Sequence, residues 1–165
     1  MSEPRLFPPQ PKISIPCGIF RTTQSLDSRV EENRLVYFHN HGDPGPGIYP
    51  VTNWRGNKAI FSTQGYTIDA AYAGTLKPLP PEGFYRIREN FTCCEKNCRT
   101  LEAETLVQLG YDIQGRGIVF VPTWNENGLS FPERGTLVLD DRLKLLSPLR
   151  VIMPTTGHEA PGHGA

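Results

Sequence analysis

Residues 47–61 read GIYPVTNWRGNKAIF, and residues 117–131 read GIVFVPTWNENGLSF. Extended without a gap to 47–79 over 117–149, the pairing gives identities at Gly47/Gly117, Ile48/Ile118, Val51/Val121, Trp54/Trp124, Asn57/Asn127, Phe61/Phe131, Gly65/Gly135, Leu76/Leu146, Pro78/Pro148 and Leu79/Leu149. Average residue usage would match about two of the 33 paired positions, against these ten. Trp54 and Trp124 are the 2 tryptophans of the chain, and they align. The sequence therefore reads as an internal repeat, each copy one small supersecondary unit.

The repeat opens earlier than this block. Pro16, Gly18 and Arg21 match Pro81, Gly83 and Arg86, each set enclosing two large apolar residues before the arginine. Leu35-Val36 matches Leu106-Val107 after a one-residue slip. The second copy is longer soon after Arg86, near residues 88–99, where Cys93, Cys94 and Cys98 lie.

Short apolar runs separated by turn residues predict strands at 18–22, 34–39, 47–52, 59–62 and 66–69. Their counterparts fall at 83–88, 104–109, 117–122, 129–131 and 136–139. Arg55-Gly56-Asn57 and Asn125-Glu126-Asn127-Gly128 are the intervening hairpin signals. Helix signals are few: two turns at Leu101–Leu109 and one at Asp140–Leu146. Five short strands per copy point to an all-β chain of two tandem SH3-like β-barrels. The expected organisation is a disordered Pro-rich arm at 1–12, a first barrel at 13–80, a second at 81–152 carrying the cysteine insertion, and a disordered tail at 153–165.

Composition agrees with this class and narrows function. The 165 residues include Gly 16 and Pro 16, too many for a helix bundle, and 38% hydrophobic residues, enough for a core. Lys plus Arg is 17 and Asp plus Glu is 17, so the formal net charge is +0. A dedicated nucleic-acid surface would be basic. Neither a signal peptide nor an apolar run long enough to span a bilayer is read, so the expected location is cytoplasmic, with reduced cysteines. No phosphate-binding glycine loop, nucleophile elbow, zinc-protease helix or dinucleotide fingerprint occurs.

Residues present in one copy only are the better candidates for function. Cys94 and Cys98 have the C-x3-C spacing of a zinc knuckle. Cys93 joins them if the chain turns sharply, and Cys17, beside the first strand of copy one, is a candidate fourth ligand. The same thiols are also read as plain buried or free cysteines, and less readily as a disulfide or a redox pair. His39, His41 and Asp43 would share one face of an extended strand, which suits a metal triad as well as a solvated hairpin end. Trp54 and Trp124 are candidate ligand-stacking aromatics, or packing residues of the repeat.

Three functional readings follow. The leading one is a non-enzymatic interaction or scaffold module whose partner is another protein, with a structural zinc as an accessory. The second is a small metalloprotein using the Cys or His/Asp set. The third, disfavoured by the charge balance, is single-stranded nucleic-acid binding along Arg21, Arg55, Lys58, Arg86, Arg88, Lys96 and Arg99.

Overall fold

The computed structural model describes residues 13–41, 45–96 and 98–154. The Pro-rich arm at 1–12, nearly all of the tail at 153–165, and Asp43 lie outside these residues. The chain is mostly β with little helix.

The first sheet is built from β1 (Gly18–Arg21), β2 (Leu35–His39), β3 (Gly47–Arg55), β4 (Lys58–Phe61), β5 (Tyr66–Thr67) and β6 (Lys77–Pro78), with a one-turn helix α1 (Ala70–Ala73) before β6. Its order is β4-β3-β2-β1-β6, with β5 also on β3, and every pairing is antiparallel. Arg55 pairs with Lys58 across Gly56 and Asn57, whose φ values of 58 and 64° are those of the tight primed turn the sequence signalled.

The second half holds β7 (Gly83–Ile87), β8 (Phe91–Thr92), β9 (Thr100–Leu101), β10 (Leu106–Tyr111), β11 (Gly117–Phe120), β12 (Thr123–Asn125), β13 (Gly128–Ser130) and β14 (Thr136–Val138). A 3-10 turn (Asp140–Leu145) and β15 (Leu146–Pro148) complete it. The main sheet runs β14-β11-β10-β7-β15, while β12 pairs only with β13, and β8 only with β9.

The ten strands expected from the sequence are all present, within two or three residues at their ends. The two helical turns expected at Leu101–Leu109 are absent. Leu101 ends β9, Glu104 adopts a left-handed φ of 66° that breaks any helix, and Leu106–Tyr111 forms β10. Val107 and Leu109 are buried and Gln108 is not, which is the two-residue alternation of a strand.

Neither sheet closes into a barrel among the described residues. The aligned prolines explain one edge of each. Pro78 and Pro148 end the edge strands β6 and β15, and proline has no backbone N–H to offer a further strand.

The two halves share a core. Leu35, Val51 and Ala59 of the first half pack in one buried cluster with Ile87, Val107, Leu109, Tyr111, Val119 and Val138 of the second. A second cluster, with Phe20, Val36, Phe38 and Ile48, lies on the other face of the first sheet and is covered by Ile68, Ala73 and Leu76. Alternation along β2 thus sends Leu35 to the shared core and Val36 to the local one. Polar contacts join the halves as well. The Leu35 N–H donates to the Ile113 carbonyl at 2.9 Å, and the Asn57 side chain donates to Gln108 Oε1 at 3.2 Å and to the Pro132 carbonyl at 3.0 Å.

Candidate functional site

Between β7 and β10 lies the hairpin β8–β9, and its loop gathers the three cysteines. Phe91, Cys93 and Leu101 are buried in the shared core, which fixes the base of the loop. The Cys93 carbonyl accepts from Leu139 N–H at 3.1 Å, and the Thr92 carbonyl accepts from Arg142 Nε at 3.1 Å. Arg99 donates to Thr136 Oγ1 at 3.1 Å. The loop is therefore held against β14 and the 3-10 turn.

Cys93 Sγ lies 3.7 Å from Cys94 Sγ, which lies 3.4 Å from Cys98 Sγ, and all three sulfurs fall within 4.8 Å of one another. Zn–S bonds of about 2.3 Å at tetrahedral angles place sulfurs ~3.8 Å apart. The cluster could thus hold a metal ion with small adjustments. The sharp turn needed for adjacent Cys93 and Cys94 to converge is present as bends at both residues. Backbone N–H donation from Cys98, then the Cys98 thiol, draw the Cys94 thiol down to about 7, while its partner Cys98 is pushed up.

Cys17 is not brought to this cluster. Its sulfur accepts from Asn40 N–H at 3.2 Å and lies 3.3 Å from His41 Nδ1, at the far end of the first sheet. The rings of His39 and His41 stand 4.8 Å apart, with His39 Nδ1 2.9 Å from the His41 carbonyl oxygen. Strand β2 ends at His39, so the face-sharing expected of an extended run through residue 43 does not extend to His41. Among the described residues, the cysteine trio is the one group of three or more such donors able to meet at an ion.

Cys93 and Cys94 open on a cleft of about 640 Å³ between the two halves, whose other walls include Arg21, Arg116, Asp140 and Asp141. Arg21 makes a bidentate ion pair with Asp140, which also accepts from Lys77 Nζ at 2.7 Å. The sequence suggested a carboxylate partner for Arg21 on a neighbouring strand but not Asp140, which lies 119 residues away. The Arg21 hydrogen bonds, aided by Lys77, hold the Asp140 carboxyl down at about 2. Its folded value lies below the unfolded value of about 3.9. The pair therefore adds stability above pH ~4 and loses it as pH falls toward 2. Asp140→Asn is expected to cost about 1 kcal/mol at neutral pH, discounted because Asp140 is partly solvated. It should also flatten the loss of stability between pH 4 and 2, as read by urea unfolding at a series of pH values. An unchanged acid slope would show that Asp140 does not carry it.

The aligned tryptophans occupy different environments. Trp54 is 37% exposed, and its indole N–H donates to the Tyr111 carbonyl of the other half at 2.9 Å. Trp124 is 82% exposed on the β12–β13 hairpin, opposite Leu129 at 49%. Of the basic residues named above, Arg21 and Arg86 are engaged by Asp140 and Glu104. No helix of the described residues is long and apolar enough to cross a membrane.

No protein-family model, curated protein or solved structure matches the chain.

Proposed function

We propose that the chain is a non-enzymatic protein-interaction module made of two copies of one small SH3-like β unit, with the β12–β13 hairpin of the second copy as its contact surface. The duplicated unit is supported by matching pairings. The scheme β1–β2, β2–β3, β3–β5 and β1–β6 recurs as β7–β10, β10–β11, β11–β14 and β7–β15. The observation that carries the function is the contrast between the aligned tryptophans. The Trp54 hairpin is spent on joining the halves, whereas its counterpart presents Trp124 and Leu129 to solvent. A large aromatic with an apolar neighbour on a projecting hairpin is the residue type that dominates binding energy at protein interfaces.

The test compares capture from nuclease-treated lysate by the wild-type chain and by Trp124→Ala. An exposed side chain contributes little to folding, so the variant should keep its stability within about 0.5 kcal/mol. Loss of a central interface tryptophan costs 2 kcal/mol or more, roughly a 30-fold weaker complex. A partner retained equally by both chains would refute the assignment of this hairpin. Capture abolished by the nuclease would favour the nucleic-acid reading.

A second reading is supported by the sulfur geometry: Cys93, Cys94 and Cys98 hold zinc, which fastens the β8–β9 insertion to the second sheet.

A further inference from the structure

We infer that the cysteine site is a three-thiolate centre whose fourth coordination position opens on the cleft and takes an exchangeable ligand from solution, a small thiol in preference to water. The inference rests on the zinc reading above and goes beyond it, because a purely structural zinc has four protein ligands, whereas a site with three keeps one position for an external molecule.

Three observations place the open position. Donors from Cys93, Cys94 and Cys98 converge, and no imidazole or carboxylate of the described residues joins them. Of the other carboxylates on the cleft, Asp140 is bonded to Arg21 and Lys77 and Asp141 to Arg142, while Glu95 lines the cleft without joining the converging donors, and Cys17 is bonded to Asn40 and His41. The space beside Cys93 and Cys94 is a cleft of about 640 Å³, large enough for a small molecule. Cys93 is buried and Cys98 is exposed, so the three sulfurs step from the core outward.

The chemical class follows from the ligands. Three thiolates select a thiophilic ion, and such an ion prefers sulfur as its next donor. A divalent ion with three thiolates carries one net negative charge, and a fourth thiolate adds another. The charged groups of the cleft walls are largely paired with one another or with neighbours, Arg21 with Asp140, Arg116 with Asp112 and Asp141 with Arg142, so the preference for sulfur rests on the ion's own chemistry. The bound thiol loses its proton to solvent and forms one metal–sulfur bond as water leaves. No electron is transferred.

The experiment uses the full reduced chain loaded with Co(II) and titrated with β-mercaptoethanol. Absorption reports both the number of thiolates on the ion and a change of its fourth ligand, and gel filtration shows that the metal stays on the protein. One cobalt per chain is expected, with thiolate charge-transfer bands that fall by about a third in Cys94→Ser and stay unchanged in Cys17→Ser. The thiol should then shift the spectrum saturably, adding one sulfur ligand per cobalt. If the chain binds no metal, the zinc reading fails and this inference with it. If cobalt binds through the three cysteines but its spectrum ignores the thiol, a protein group fills the fourth position; the zinc reading then stands and the open site is overturned.

Discussion

Tyr111→Ala is expected to lower the stability of the whole chain by about 3–5 kcal/mol and to shift both sheets together. Tyr111 is 1% exposed, at the end of β10 in the shared core. Its hydroxyl donates to the Pro80 carbonyl in the connection between the halves, and its own carbonyl accepts the Trp54 indole N–H. One side chain and its peptide thus touch the second sheet, the connector and the first sheet's hairpin. Burial keeps the phenol protonated by pushing its ionisation well above the usual range, so the donor is retained across the working pH scale. Truncation removes a large apolar body and leaves the Pro80 carbonyl without its donor, and the two losses add. Tyr111→Phe separates them. It keeps the ring and should cost only about 1–2 kcal/mol. Urea unfolding followed by circular dichroism and by tryptophan fluorescence is the check, since Trp54 reports on the contact between halves. Coincident transitions moving together are expected. Two separate transitions, with only the later one shifted, would mean that the sheets fold independently and that their common core contributes little.

This shared core bears on how much of the molecule was legible beforehand. Strand positions were legible because alternation and turn residues are local: Gly56-Asn57 signals its hairpin wherever the strands go. The convergence of Cys93, Cys94 and Cys98 was legible for the same reason, all three lying within six residues. The partner of Arg21 was not, because an ion pair across 119 residues leaves no periodicity in the sequence. Cys17 was placed with the other cysteines on its residue type and its position beside the first strand, but its neighbours are set by the β1–β2 pairing, which brings Asn40 and His41 to it. The unlike environments of Trp54 and Trp124 were also hidden. Identity of residue type in an alignment says nothing of burial, which depends on what each hairpin packs against. The helix expected at Leu101–Leu109 failed because apolar spacing there fits either period over so short a run, and the backbone at Glu104 decides it.

The aligned glycines Gly65 and Gly135 carry the second large prediction. Each follows the β3–β4 or β12–β13 hairpin, and each comes close to a strand of its own half: Gly65 to Tyr49 of β3, Gly135 to Ile118, Val119 and Phe120 of β11. A Cβ at Gly65 would lie 2.6–2.8 Å from the Tyr49 ring, and one at Gly135 would lie 2.5 Å from Ile118 Cγ2 and 2.7 Å from the Val119 carbonyl oxygen. Both approaches are too close for alanine, which accounts for glycine at both positions. The neighbours differ in what they can yield. Tyr49 is a half-buried side chain that can swing aside, so Gly65→Ala should cost less than about 1 kcal/mol. Val119 is fully buried, and its backbone lies in β11 between β10 and β14. Its carbonyl can retreat only by moving the strand, so Gly135→Ala should cost about 2–3 kcal/mol, the upper part of the overpacking range. For a chain of this size that corresponds to a fall in Tm of roughly 4–12 °C, measurable by thermal unfolding of the two variants side by side. Equal losses would show that the flexible ring and the buried backbone resist alike, and that close packing of β11 does not constrain this turn. The expected inequality makes a wider point: both positions exclude a Cβ, yet Gly135, set against the buried backbone of β11, has far less freedom to change than Gly65.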